Sequence, residues 1–208
     1  YITASGGPFL KKKFKYNENI NNVLSHPTWK MGKKITVNSS TFANKIAELF
    51  EAKILFNLKK NQIDFKIEET SKIHAIIELK NNISIFISHR PSMELSISNS
   101  LNVSNNVTGN ISNYNFKLVD PDLTKFPIVK VGYKILHKLN DSGMILFIVF
   151  NERLVDLYLS GNINYGDISK ILVKVFSNKE ILNKAKVSMK SIKDILKTIK
   201  FAKSYYLC

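Results

Sequence analysis

Between Ser39 and Glu51 the chain sets three hydroxyls, an amide, an ammonium and two carboxylates: Ser39, Ser40, Thr41, Asn44, Lys45, Glu48 and Glu51. Apolar Phe42, Ile46, Leu49 and Phe50 recur at i, i+4, i+7 and i+8, which predicts a helix from about residue 41 to 57. At about 100° per residue, Asn44, Glu48 and Glu51 fall along one stripe of that helix, with Lys45 beside them. The hydroxyls offer N-cap chemistry at its start. A phosphate bound there would gain from unpaired backbone N–H groups and from the helix dipole. Lys45 would add a full positive charge and Asn44 a donor. Glu48, one turn on, could hold a divalent cation through a carboxylate oxygen. An amphipathic helix with a solvated polar face fits the same spacing, and periodicity leaves the two readings open.

Other chemistries are thinly supported. Cys208 is the single cysteine and stands at the end of the 208 residues, so no disulfide framework, cysteine zinc site or cysteine nucleophile pair is available. The net charge of +15 invites a nucleic-acid partner, yet of 31 basic residues only Arg90 and Arg153 are arginine. Base and phosphate recognition leans on the planar guanidinium, which lysine does not replace. The abundance of Lys, Asn and Ile points instead to a coding bias, and no nucleic-acid partner is expected. A lysine-rich binding module stays as the contrasting reading, with a steep salt dependence as its signature. The longest apolar run, Met144 to Phe150, is far short of a membrane span, so no membrane partner is expected. The chain opens on Tyr1, which reads as a piece of something longer.

Residues 1–30 read as loop, broken by Gly6-Gly7-Pro8 and Pro27. Lys34 to Val37 alternates like a short strand. Ile63–Ile67, Ile73–Leu79 and Ile83–Ser88 read as strands, the last two joined by a turn at Asn81-Asn82. Residues 94–117, rich in Ser and Asn, read as a long connection with some strand. Helical spacing follows over 127–140, 149–160, 165–177 and 179–204, with turns at Asn140-Asp141-Ser142-Gly143 and Ser160-Gly161-Asn162. The fold class is α+β: a mixed sheet with helices, then a C-terminal helical bundle.

Three blocks go beyond composition. Thr3-Ala4-Ser5-Gly6-Gly7-Pro8-Phe9 is followed by His26-Pro27-Thr28-Trp29-Lys30-Met31-Gly32-Lys33-Lys34-Ile35-Thr36-Val37, then by Ser39, Thr41, Asn44-Lys45 and Glu48. In this order and spacing they closely resemble the catalytic domain of the 1-deoxy-D-xylulose 5-phosphate reductoisomerase family. The resemblance is strongest over residues 3–56. Later it rests on Ser71 with His74, on Pro91 and Met93, on Pro121-Asp122 through Phe126-Pro127, and on Asn151-Glu152 opening a helix.

The resemblance implies an enzyme that rearranges 1-deoxy-D-xylulose 5-phosphate and reduces the product with NADPH to 2-C-methyl-D-erythritol 4-phosphate, in the non-mevalonate isoprenoid pathway. It implies Mg²⁺ or Mn²⁺ as the metal. Ser5, Ser39, Asn44 and Lys45 would be the phosphate and hydroxyl ligands of this sugar phosphate. His26 and Trp29 would lie in a flap of about residues 6–30 that closes over it. Glu48 would be the metal carboxylate with Glu51 nearby, and Lys45, Glu48, His26 and His74 would form the catalytic group. Met93 would pack near the nicotinamide. The division implied is 1–118 for the catalytic, substrate-binding domain and 119–208 for a linker and C-terminal helical domain. A homodimer is implied too, in the bacterial cytoplasm or in a plastid stroma.

Departures from the family pattern accompany the match. Asn38 stands in place of an aspartate and Ile46 in place of a glycine. Glu68-Glu69-Thr70 replaces a His-Pro-Gln segment before Ser71, Ser92 and Glu94 replace an aspartate and an arginine around Met93, and Phe147-Ile148-Val149-Phe150 replaces a Leu-Asn-Ala-Ala segment. They raise the alternative of a degenerate homologue that binds sugar phosphate without catalysis. The family's N-terminal Rossmann-type domain and two further metal carboxylates would lie upstream of Tyr1, so this piece alone is expected neither to bind NADPH nor to turn over.

Overall fold

Ile2–Ala4 forms β1, a strand of three residues inside the stretch that reads as loop. Three residues are too few to display a period of two, so pairing rather than pattern creates it. In the computed structural model, which describes residues 1–103 and 115–207, β1 lies in a sheet ordered β2-β1-β3-β4. It runs parallel to β2 (Phe65–Ile67), with Ile2 opposite Phe65, and antiparallel to β3 (Ile73–Glu78). β4 (Ser84–Ser88) closes a hairpin with β3, and Asn82 at φ 64° makes the expected Asn-Asn turn. The Tyr1 backbone nitrogen donates to the Ile76 carbonyl at 2.7 Å. A helix, α4 (Met93–Ser100), capped by the Ser92 hydroxyl, replaces the start of the connection predicted over 94–117. Residues 104–114 of that connection and Cys208 lie outside the described residues.

The loop from β2 to β3 is organised around a buried carboxylate. Glu68 is 1% exposed and accepts from the backbone N–H groups of Thr70 (2.9 Å), Lys72 (3.0 Å) and Ile73 (3.3 Å). Burial alone would raise its pKa, but these bonds, with one from the Thr70 hydroxyl, favour the anion more and hold it below the ordinary glutamate value. Residues Tyr1–Ser5 and Asp64–Asp120 make up this compact unit.

The second unit, Gly6–Ile63 with Pro121–Cys208, is helical among its described residues. It comprises α1 (Ile20–Val23), α2 (Lys33–Thr41), α3 (Ala43–Leu55), α5 (Pro127–Lys138), α6 (Asp141–Leu159), α7 (Tyr165–Val175), α8 (Lys179–Lys184) and α9 (Ile192–Ser204). Lys34 to Val37 is thus helical, not a strand. The β-branched Ile35, Thr36 and Val37 favour a strand locally, but burial of Thr36, Val37, Ser39, Ser40 and Thr41 on one helix decides the outcome. The predicted turn at residues 140–143 is instead the N-cap and first turn of α6, so Asn151-Glu152 lies in mid-helix rather than opening one. Met144, Leu146, Phe147, Val149 and Phe150 are all buried, as in a core helix that is apolar on several sides. The single helical stretch foreseen over 179–204 is broken between α8 and α9.

The helix read over 41–57 forms as α3, and Phe42, Ile46, Leu49 and Phe50 are each at most 1% exposed. Ile46, where the family pattern has a glycine, fits because Gly132 of α5 faces it. A Cβ on Gly132 would lie 2.5 Å from Ile46 side-chain atoms. Bulk lost on one helix is bulk gained on the other.

Two outcomes follow from this packing. Glu68→Ala leaves buried N–H groups unpaired and lowers unfolding free energy by about 2–3 kcal/mol, read by urea denaturation at neutral pH. Because the folded-state pKa is depressed, that contribution is present above the unfolded value near 4.5 and disappears as pH falls through the lower folded value. Gly132→Ala overpacks the α3–α5 contact and costs about 1–3 kcal/mol, whereas the double change with Ile46→Val recovers part of it, measured by thermal unfolding.

Candidate functional site

Everything at the site turns on Phe42, which ends α2 and begins α3 in one residue. Its backbone is left-handed, φ 62° and ψ 13°, and no side chain caps α3 there. The conformation costs about 1 kcal/mol or more for a residue with a Cβ. Burial of the ring, packed edge-on at 4.7 Å against Phe126, offsets it. The cap foreseen from Ser39, Ser40 and Thr41 is therefore redrawn. These residues form the last turn of α2, and two of the hydroxyls bond backward, Ser40 to the Val37 carbonyl (2.6 Å) and Thr41 to the Asn38 carbonyl (3.2 Å). Thr41 Oγ1 also accepts from the Ala43 N–H, the first of α3, at 3.4 Å, so one of the three hydroxyls does serve the helix start as foreseen. Only the Ser39 hydroxyl has no hydrogen-bond partner among the described residues.

Beyond the kink, α3 carries the polar stripe as foreseen. Glu48 accepts from Lys45 Nζ at 2.6 Å and from Asn44 Nδ2 at 3.4 Å. Asn44 Oδ1 is buried and has no partner among the described residues. Asn44, Glu48 and Glu51 line one cleft of about 630 Å³ with Lys34 and Asn38 of α2 and Phe147, Asn151 and Glu152 of α6. The glycine turn at the front reaches this junction. Gly7 has φ +64°, and a Cβ on it would stand 2.8 Å from the Ser39 carbonyl oxygen, so only glycine lets the two backbones approach this closely.

His26 and Trp29 form a local unit. His26 Nδ1 accepts from the backbone N–H groups of Thr28 (3.1 Å) and Trp29 (3.0 Å), which places the ring proton on Nε2. That Nε2 is buried without a partner, and burial lowers the pKa, so the ring is neutral with a donor to offer. The remaining predicted residues lie in the sheet-bearing unit. Ser5 is its last residue before Gly6. His74 donates from Nε2 to the His89 carbonyl at 3.1 Å, and the two imidazoles stack at 3.8 Å. Met93 opens α4 and is 62% exposed.

Among the described residues no three His, Cys, Asp or Glu side chains cluster for a metal. Glu48, with Glu51 one turn further on, suits a magnesium-type ion, which keeps several waters and takes one or two carboxylates plus substrate oxygens. No described helix is long and apolar enough to cross a membrane.

Sequence reasoning missed Asn151 and Tyr165. Asn151 is 6% exposed, donates to Asn38 Oδ1 at 2.8 Å and leaves its own Oδ1 without a partner. Its signal was an amide between Phe147 and Val155 on an i, i+4, i+8 stripe that is otherwise apolar. Tyr165, 3% exposed, reaches the Ser40 hydroxyl at 3.0 Å and the Ser40 carbonyl at 3.2 Å. Nothing local in the sequence marks that pairing across 125 residues.

Comparison with known proteins agrees with this arrangement. Residues 1–56 match the family model described as 1-deoxy-D-xylulose 5-phosphate reductoisomerase C-terminal domain, and residues 89–205 match the DXP reductoisomerase C-terminal domain. The chain is 38% identical over 204 residues to the 1-deoxy-D-xylulose 5-phosphate reductoisomerase of Pelagibacter ubique (strain HTCC1062), covering 91% of this chain and 50% of that protein. It is 34% identical to that of Malacoplasma penetrans (strain HF-2), over 98% of this chain and 54% of the relative. The chain thus spans about half the length of the curated relatives it matches. A crystal structure of DOX-P reductoisomerase in complex with NADPH, fosmidomycin and magnesium superposes with a TM-score of 0.84 at 29% identity, over 98% of this chain and 53% of that one. The α+β fold, the matched blocks and both family models agree: this chain belongs to the 1-deoxy-D-xylulose 5-phosphate reductoisomerase family and corresponds to its C-terminal part.

Proposed function

We propose that the chain provides the substrate-phosphate site of an NADPH-dependent reductoisomerase that converts 1-deoxy-D-xylulose 5-phosphate to 2-C-methyl-D-erythritol 4-phosphate. The observation that carries this reading is the hydrogen-bonded set Asn44, Lys45 and Glu48 on the first turns of α3, just past a helix start that Phe42 itself does not cap and Ser39, whose hydroxyl has no partner among the described residues. The N–H groups of that start and the Lys45 ammonium favour a dianion. Ser5, Ser39, Asn44 and Lys45 bind the phosphate and hydroxyls. Residues 1–118 form the substrate-binding part and 119–208 the linker and supporting helices.

Chemistry follows from what each group can hold or donate. Lys45 is held by Glu48 in a fixed position, so its charge meets the phosphate without a search through rotamers. Phosphate binding then fixes the carbon chain, and that remote binding energy orients the reacting oxygens. His26, neutral, donates Nε2–H to the bound substrate, and Trp29 covers it and excludes water. His74 presents an imidazole whose Nε2–H is fixed on the His89 carbonyl. Glu48 and Glu51 offer carboxylate oxygens to Mg²⁺ or Mn²⁺, which supplies Lewis-acid polarisation of the substrate's carbonyl and hydroxyl oxygens when bound. Met93 packs beside the nicotinamide of NADPH. The whole protein acts as a homodimer, in the bacterial cytoplasm or in a plastid. A non-catalytic sugar-phosphate binder is the contrasting reading, favoured by the altered residues around Met93 and before Ser71.

The protein encoded by the complete gene, given 1-deoxy-D-xylulose 5-phosphate and magnesium, is expected to oxidise NADPH; substrate binding without oxidation would select the non-catalytic reading. Lys45→Ala is expected to lower kcat/KM by roughly 100-fold, equivalent to about 2.7 kcal/mol. Nitrogen-15 spectroscopy at neutral pH should find the His26 proton on Nε2, with titration below the ordinary 6.5. Since folding favours the neutral ring, its contribution to stability is complete above that value and declines as pH falls below it. A proton found on Nδ1 would contradict the role given to His26.

A further inference from the structure

We infer that Asn151 and Tyr165 are positioning residues for the Ser39 hydroxyl: they grip the residues on either side of it from two different helices. The inference rests on Ser39 being a phosphate ligand. Consecutive helical residues point about 100° apart, so Asn38, Ser39 and Ser40 face three directions from the last turn of α2. On one side Asn38 Oδ1 accepts from Asn151 Nδ2 of α6 at 2.8 Å. On the other, the Tyr165 hydroxyl of α7 reaches the Ser40 hydroxyl at 3.0 Å and the Ser40 carbonyl at 3.2 Å. Between them Ser39 is 8% exposed, and its hydroxyl is the one of the turn not bonded back to its own helix.

Both grips are built to be stiff. Tyr165 is wedged among Phe9 and Phe14, each with its ring centroid 5.3 Å away, and Tyr158 at 5.8 Å. Desolvation keeps the phenol protonated, so it stays a donor. Asn151 sits in the apolar middle of α6, where its Oδ1 finds no partner among the described residues. A leucine, with the same branching and number of side-chain heavy atoms, would remove that unsatisfied group, so packing alone gives no reason for the amide. Its bond to Asn38 does. Lys34 of α2, one turn before Asn38, pairs with Asp156 of α6 at 2.7 Å and extends the same polar seam away from the site.

The grip on Asn38 is indifferent to the departure at that position. An aspartate would accept the same Asn151 N–H, so Asn38→Asp is the conservative variant. The test uses the full 208-residue chain with inorganic phosphate as probe, and reads hydrogen exchange at the Phe42 amide, which donates to the Ser39 carbonyl at 3.3 Å. Asn151→Leu is expected to unfold at the same temperature or higher, yet to exchange the Phe42 amide about 10-fold faster and to bind phosphate about 10-fold more weakly. Tyr165→Phe should move both quantities the same way, and Asn38→Asp should keep the original exchange rate. Phosphate bound by the unmodified chain but not by Lys45→Ala, with exchange and affinity unchanged in Asn151→Leu and Tyr165→Phe, would overturn the grip alone. No phosphate uptake by the unmodified chain, or uptake indifferent to Lys45→Ala, would instead remove Ser39 as a ligand and the inference with it.

Discussion

A single residue held at φ 62° joins α2 to α3, and the geometry of the proposed phosphate site depends on it. Phe42 ends one helix and starts the next without an intervening loop. The carbonyl end of α2 and the N–H end of α3 therefore meet at one point. Glycine would take this conformation with less strain. A phenylalanine persists because its ring is buried against Phe126, so the tertiary core secures a backbone state that local preference resists. Ser39 and Lys45, three residues to either side of Phe42, thereby stand on two helices that meet at that residue.

Charge works here by position rather than by amount. The chain carries +15, yet the lysine that matters is restrained by a carboxylate one turn along its own helix. In water such a pair adds little stability. Its value is geometric: a flexible four-carbon stem is brought to one place before an anion arrives. Two of the three amides that line the cleft, Asn44 and Asn151, act alike. Each donates from Nδ2 within the protein and has no partner for Oδ1 among the described residues.

Long-range chemistry was more legible in the sequence than local structure. The order and spacing of the blocks from Thr3 to Glu48 pointed to the family, and the i, i+4, i+7, i+8 pattern located α3 with its buried face. The hairpin of β3 and β4 followed from its Asn-Asn turn. Lys34 to Val37 misled because β-branched residues mimic a strand when nothing in the sequence reports that α6 and α3 will cover them. The hydroxyl of Ser40 misled for a related reason: cap chemistry at a helix start looks the same as back-bonding at the end of the preceding helix, and Thr41 does both. Asn151 was visible as an amide in an apolar run, but its meaning needed Asn38 across 113 residues. Strand β1 was invisible because its partners come from residues 65–67 and 75.

The fit between Ile46 and Gly132 makes two helices share one volume. A side chain on both positions collides, and a side chain on neither leaves a hole the size of an isoleucine. The two positions therefore tolerate change only as a pair. Exchanging either helix alone for one with the opposite arrangement would create the collision or the hole.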